Sequence, residues 1–203
     1  MAKRKAKIAR KTAETNVTVE MNLDGTGKGD ISTTIPFLDH MLNLLARHGF
    51  FDLKVKSRGD IVKSRGDIDV DYHHLVEDIG ICLGAALREA LGKKEKINRY
   101  GSATVPMDES LCAVSLDISG RPYLVFKVNF GVKKIRDFDP ALLRDFFKSL
   151  TDHSGMTLHV NVMYGKNNHH IAESVFKAFA RALSEAVSFN RKITGVLSTK
   201  GSL

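Results

Sequence analysis

Two stretches of the chain carry apolar residues at a helical repeat directly behind the same polar signature. Tyr72-His73-His74-Leu75-Val76-Glu77 is followed by Ile79, Leu83, Ala86, Leu87 and Ala90. Asn167-Asn168-His169-His170-Ile171-Ala172-Glu173 is followed by Val175, Phe176, Phe179, Ala182, Leu183 and Ala186. These spacings put each apolar set on one helix face, so each His-His-x-x-Glu motif opens an amphipathic helix. Elsewhere, Val17, Val19, Met21 and Leu23 alternate with polar neighbours, which predicts a half-buried strand over Asn16 to Leu23 ending in the turn Asp24-Gly25-Thr26-Gly27. Pro36 opens a helix that runs through Phe37-Leu38-Asp39-His40-Met41-Leu42 towards Gly49, and Phe51 to Lys56 reads as a strand. Lys93 to Lys96 is a polar link. Leu111 to Ile118 and Tyr123 to Phe130 read as strands joined as a hairpin by Ser119-Gly120-Arg121-Pro122. Asp139 caps and Pro140 opens a helix through Leu142, Leu143, Phe146 and Phe147; Thr157 to Met163 is a strand, and Gly165 leads into the second motif helix.

Set side by side, these elements repeat. A helix (Pro36 to Arg47; Pro140 to Thr151) is followed by a strand and then by a motif helix. His40 and His48 are eight apart, as are Asp145 and His153, so Asp145 stands where His40 stands. The pattern predicts an internal duplication of a βα unit, residues 1–97 and 98–203 forming two halves of one α+β fold whose two sheets are each covered on one face by helices. A shorter repeat lies within the first half: Val55-Lys56-Ser57-Arg58-Gly59-Asp60-Ile61 recurs at once as Val62 to Ile68. Only two copies occur, so the insertion adds a loop or extends a hairpin, and its odd length can swap strand faces ahead of His73.

On a helix the first His and the Glu four residues later share a face, while the second His is turned about 100° away. Adjacent histidines often serve as caps or solvated surface groups. Two matched copies instead point to imidazole and carboxylate ligands for Mn, Fe, Ni or Zn, arranged as a dinuclear site in which each metal takes a His/Glu pair from one motif and the odd His from the other. His40 alone reads as a core histidine; beside these motifs it reads as a further ligand.

With 43% hydrophobic residues in 203, the chain can bury a sizeable core. Cys82 and Cys112 lie in apolar runs, and neither a signal peptide nor an 18-residue apolar stretch is evident, so a reducing cytoplasm, no disulfide framework and no membrane are expected. The formal charge of +8 suits an anionic partner. Much of it sits in Lys3-Arg4-Lys5-Ala6-Lys7 and Arg10-Lys11, which reads as a solvated basic tip without the aromatics that stack on bases. A phosphorylated small molecule therefore fits better than nucleic acid.

Motifs along nearly the whole chain resemble the imidazoleglycerol-phosphate dehydratase family. They are Arg10-x-Thr12-x-Glu14-Thr15, Leu23-Asp24-Gly25-Thr26-Gly27, Ile35-Pro36-Phe37-Leu38-Asp39-His40-Met41-Leu42, Asp71-x-His73-His74-x-x-Glu77-Asp78, Arg99-x-Gly101, Asp108-Glu109-x-Leu111, Ser119-Gly120-Arg121, Thr157-Leu158-His159, Gly165-x-Asn167-x-His169-His170-x-x-Glu173, Phe176-Lys177-Ala178 and Ser198-Thr199-Lys200-Gly201. The resemblance implies a duplicated α+β unit of the ribosomal protein S5 domain 2-like type, and dehydration of D-erythro-imidazole-glycerol phosphate to imidazole-acetol phosphate in L-histidine biosynthesis. It also implies Mn²⁺, two per active site, and a homo-oligomeric 24-mer of trimers with active sites between subunits.

By motif matching, His40, His73, His74, Glu77, His169, His170 and Glu173 are the implied metal ligands. Glu14, Asp108, Glu173 and Lys177 are implied in catalysis, with Glu14 also at the substrate. Arg99, Arg121, Ser198 and Lys200 are implied to hold the phosphate. Many relatives carry His at the position of Asp145, so Asp145 is the implied ligand through oxygen. Each residue has a simpler reading: Glu14 as a surface charge on a strand edge, Arg99 and Arg121 as solvated turn residues, Lys200 as a frayed end, and Lys177 as the i, i+4 ion-pair partner of Glu173. A metallohydrolase would use the same ligands but release phosphate.

Overall fold

The computed structural model describes residues 4–59, 72–132 and 134–202. In chain order these form β1 (Lys5–Lys11), β2 (Thr15–Asn22), β3 (Gly29–Ser32), α1 (Pro36–Gly49), β4 (Asp52–Gly59) and α2 (His73–Leu91), then β5 (Tyr100–Met107), β6 (Ser110–Asp117), β7 (Tyr123–Lys127), α3 (Leu142–Ser154), β8 (Thr157–Tyr164) and α4 (Asn168–Val187). The same succession of element types occurs twice. Each succession builds a four-stranded sheet of the same order, β1-β2-β4-β3 and β5-β6-β8-β7. In both, the third strand runs parallel to the fourth and the other pairings are antiparallel. The fold is α+β, as the sequence pattern predicts. Of the tandem repeat, Val55 to Gly59 belong to β4, and the question of how the second copy alters the approach to His73 lies outside the described residues.

Local chemistry explains most element ends. Pro36 sits at the start of α1, and Phe50 closes it with left-handed backbone at φ 58° and its N–H on the Ala46 carbonyl. The Asn167 side chain accepts the His169 N–H and so caps α4. Asp139 Oδ1 accepts the Ala141 N–H at 2.9 Å, but Pro140 and Ala141 form a turn of i→i+3 bonds and α3 proper begins at Leu142.

Two sequence expectations are corrected. Ser119 to Pro122 does not make a hairpin, because β8 lies between β6 and β7. Leu158 and Val160 of β8 are buried and demand a central position, whereas β7, with exposed Tyr123 and Lys127, takes the edge beside it. The basic tip is not a solvated tail. Lys5–Lys11 is an edge strand paired along β2, with Ala6 buried, Lys7 2.9 Å from Glu20, and Arg4 bonded to Asp24 and the Val187 carbonyl over the Phe189 ring. Lysines on such an edge discourage pairing with another chain.

Helices α1 and α2 pack on the first sheet, α3 and α4 on the second, and the two helix layers meet with α1 on α4 and α2 on α3. One apolar core runs through all the layers. The helix pairs are parallel. His40 lies beside Glu173 and His48 near Lys177 and Arg181, while His73 lies beside Asp145 and Gly84 beside Leu150 and His153. The α2–α3 approach depends on Gly80 and Gly84, where an added Cβ would stand 2.6 Å from the Phe146 carbonyl oxygen and 2.5 Å from that of Leu150. Cys82 and Cys112 are buried free thiols, pushed up by burial to about 11 and about 12. Among the described residues no helix is long and apolar enough to cross a membrane.

The glycine contact makes a stability prediction. An alanine in a helix interior gains about 1 kcal/mol over glycine in propensity, whereas overpacking a tight contact costs about 1–3 kcal/mol. The clash at position 84 is with backbone that cannot swing aside, so Gly84→Ala is expected to lower the urea midpoint despite the better helix former. An unchanged or raised midpoint would show that α3 yields easily.

Candidate active site

At one end of the molecule, α1 and α4 bring His40, His169 and Glu173 together, with potential ligand atoms all within 4.8 Å of one another. His40 Nε2 is 2.8 Å and His169 Nε2 3.0 Å from the same oxygen, Glu173 Oε1. The second carboxylate oxygen accepts from Lys177 Nζ at 2.6 Å, and that ammonium also lies 3.0 Å from Met107 Sδ. Phe37 meets the His169 ring edge-on, with centroids 5.4 Å apart. Glu173 is only 7% exposed. Burial pushes its carboxyl up, but the hydrogen bonds from Lys177, His40 and His169 outweigh that and hold it at about 2. Two imidazole nitrogens and an ionised carboxylate make a donor set that fits a divalent transition metal.

The second motif heads the other helix pair. His73 Nδ1 is 3.5 Å from Asp145 Oδ2, so Asp145 does occupy the place on α3 that His40 occupies on α1. Glu77 and His74 line a cleft of about 290 Å³ with Arg10, Thr12, Glu14 and Asp78. Asp78 anchors this wall by accepting from Arg10 Nε at 2.7 Å and from the Thr15 hydroxyl.

The odd histidine of each motif turns outward to an acid on a hairpin turn. His74 Nδ1 is 2.7 Å from Glu14 Oε2, in the β1–β2 turn rather than on a strand edge. His170 Nδ1 is 2.7 Å from Glu109 Oε2, in the β5–β6 turn, with Asp108 Oδ2 3.7 Å from its Nε2. Glu109 also accepts the N–H groups of Lys166 and Asn167, and with His170 as the leading cause it is held at about 2. Reciprocally, Glu109 raises the His170 imidazole above its ordinary value. Glu109 escaped the residue-by-residue reading. The duplication held the signal, since an acid on the first turn, facing the odd histidine, implies one on the second.

The four phosphate candidates lie elsewhere on the second half. Arg99, with left-handed backbone at φ 71°, donates to Asp117 through Nε at 2.7 Å and Nη2 at 3.0 Å and to the Leu197 carbonyl through Nη1 at 2.7 Å. Arg121 is exposed, its backbone N–H on Ser119 Oγ. Ser198 is half-buried and its hydroxyl accepts the N–H of exposed Lys200.

A family model for imidazoleglycerol-phosphate dehydratase matches residues 33–183. The chain belongs to the imidazoleglycerol-phosphate dehydratase family. It is accordingly a hydro-lyase, an enzyme of histidine biosynthesis. It is 58% identical over 204 residues to the imidazoleglycerol-phosphate dehydratase of Syntrophus aciditrophicus, covering 100% of both chains, and 56% identical over 200 residues to that of Geobacter sulfurreducens, covering 98% of this chain and 99% of the relative. The crystal structure of the Pyrococcus furiosus enzyme matches with a TM-score of 0.81 at 39% identity, over 97% of this chain and 100% of the other. That of the Staphylococcus aureus dehydratase matches with a TM-score of 0.79 at 34% identity, over 92% and 99%. In this dehydratase the family match spans the residues of both helix-pair clusters, from His40 to Lys177, while Glu14, Ser198 and Lys200 lie outside it.

The His170–Glu109 pair is testable in metal-stripped protein. Glu109→Gln removes the carboxylate that raises His170, so its pKa is expected to fall and its neutral fraction near pH 7 to rise. Carbethoxylation, which needs the neutral ring, should then become faster at His170 and stay constant at His159 when followed by peptide mass spectrometry. An unchanged rate at His170 would contradict the assignment.

Proposed function

We propose that the chain dehydrates D-erythro-imidazole-glycerol phosphate to imidazole-acetol phosphate in the cytoplasm, with Mn²⁺ as cofactor, two ions per active site. The observation that carries the metal part of this reading is the convergence of His40, His169 and Glu173. Bound Mn²⁺ would supply Lewis acidity, lowering the pKa of a coordinated imidazole nitrogen. His40, His169 and Glu173 would hold one ion, and His73, Glu77 and Asp145 the other, with Asp145 offering oxygen where His40 offers nitrogen. His74 and His170 would complete these sets in a neighbouring subunit. That arrangement is supported by their outward aim from separate helix pairs, and it gives a homo-oligomer, a 24-mer of trimers with active sites between subunits. The halves 1–97 and 98–203 act as one catalytic unit in this reading.

The chain's own groups then divide the proton work. Lys177 Nζ, 2.6 Å from Glu173 Oε2, is the group suited to deliver a proton to a departing hydroxyl. The carboxylates of Glu14 and Asp108, both on turns, are suited to take a proton from carbon or to orient the substrate. Arg99, Arg121, Ser198 and Lys200 hold the phosphate, which stays on the product.

Protein stripped with chelator and given back Mn²⁺ is expected to form imidazole-acetol phosphate without free phosphate. Phosphate release would instead make it a hydrolase, and equal turnover after chelation would sink the metal reading. His40→Ala and Glu173→Gln are each expected to lower kcat/KM by more than about 100-fold, the upper range for losing a group that supports a metal, together with Mn²⁺ retention measured by elemental analysis. Full Mn²⁺ retention in both variants would move the ion elsewhere.

A further inference from the structure

Arg99 is held at both its backbone and its side chain. Its N–H donates to the Ala186 carbonyl at 2.9 Å and its carbonyl accepts from Ile118 at 3.0 Å, fixing a left-handed conformation that a non-glycine residue seldom adopts. Its guanidinium carbon lies 4.8 Å from the Tyr100 ring centroid, and the side chain as a whole is 12% exposed. Its bonds to Asp117 and Leu197 use three of five N–H donors. Among the described residues the other two meet no acceptor, which leaves them open to an oxyanion. The Leu197 contact matters because the next residues are Ser198 and Lys200. That segment is folded back on itself, with Lys96 donating to the Gly195 carbonyl at 2.7 Å and Ser198 to that of Val196 at 2.8 Å. Lys94 and Arg88 add cationic charge near the Arg99–Asp117 pair.

We propose that Asp117 is a positioning residue for phosphate binding: its carboxylate aims the Arg99 guanidinium, and the Arg99–Leu197 bond latches the C-terminal segment so that Ser198 and Lys200 face the same phosphate monoester. The inference rests on the reading of these residues as phosphate ligands. Two effects of Asp117 oppose each other. Its negative charge repels a bound phosphate, so removing it acts to tighten binding. It also prepays the ordering of a long, flexible side chain and of the segment latched to it, so removing it acts to weaken binding. The bidentate geometry, the largely covered side chain and the attached segment make the second effect dominant, so the sign of the change decides.

The test uses the full-length, Mn²⁺-loaded enzyme and inorganic phosphate as probe, read as competitive inhibition and as hydrogen exchange of residues 195–202. Phosphate is expected to slow exchange there in the unaltered protein. Asp117→Ala is expected to weaken phosphate inhibition about tenfold, to raise substrate KM by more than kcat falls, and to leave the 195–202 amides fast with or without phosphate. Asp117→Asn keeps the shape and one acceptor, carries the test if the alanine variant misfolds, and should show a smaller shift in the same direction. Unchanged or tighter phosphate binding in the Asp117 variants, with Arg99→Met weakened, overturns the proposal and leaves the phosphate reading standing. If Arg99→Met also binds phosphate normally, that reading falls and the proposal with it.

Discussion

The cross-packing of helices between the two halves is the constraint on which everything else depends. Each half covers one face of its own sheet with two helices, and those helices have a second apolar face that the same half cannot bury. Pairing α1 with α4 and α2 with α3 buries both faces at once, and Phe146, Phe147, Phe176 and Phe179, on α3 and α4, fill the second half's share of that core. At about 1.5–3 kcal/mol for each fully buried large side chain, these four rings alone contribute on the scale of a domain's net stability. Every helix pair contains one member from each half. Neither half therefore owns a complete cluster: His40 needs α4, and Asp145 needs α2.

The direction of that packing matters as much as its existence. Because each pair is parallel, two helix N-termini meet at the same end, with the motif histidines in the first turn of α2 and α4 and the glutamates in the second. Unpaired N–H groups and aligned dipoles make such an end a favourable place for carboxylates. Glu173, one turn further in, stays ionised while buried because Lys177 and two imidazoles hydrogen-bond it. An antiparallel arrangement of the same helices would have brought the motif of one beside the carbonyl end of the other, where a buried carboxylate is disfavoured.

What was legible in the sequence follows from which features are periodic. The four helices announced themselves through apolar spacing, with Pro36 at the start of α1 and Asp139-Pro140 just ahead of α3, and the duplication through the spacing of His40 and His48 against Asp145 and His153. Strand order was not legible. Ser119 to Pro122 has turn chemistry whether the chain returns as a neighbour or leaves room for β8, and only the competition of β8 for a central place decides. Strand β1 was hidden because an edge strand may carry lysines freely, and β3 because four residues give too little alternation. The chemistry showed the same division. Ligand types could be read from the motifs, but the partners Glu109, Met107 and Asp117 sit on turns and strands whose approach is set only by the tertiary fold.

The two copies have diverged in a way that bears on their chemistry. Around Glu173 the carboxylate is buried, touched by two imidazoles, and followed one turn later by Lys177. At the equivalent positions on α2, Glu77 is half-buried and the residue one turn later is Ile81. The first-half histidine His40 has Asp145 as its counterpart, so the α2–α3 cluster replaces a neutral donor with an anionic one and has no ammonium at the matching turn. A cation beside a ligand carboxylate is useful where a proton must be delivered, and a second carboxylate where positive charge must be held. The α1–α4 and α2–α3 clusters therefore differ in burial and in charge, an asymmetry that two identical copies could not supply.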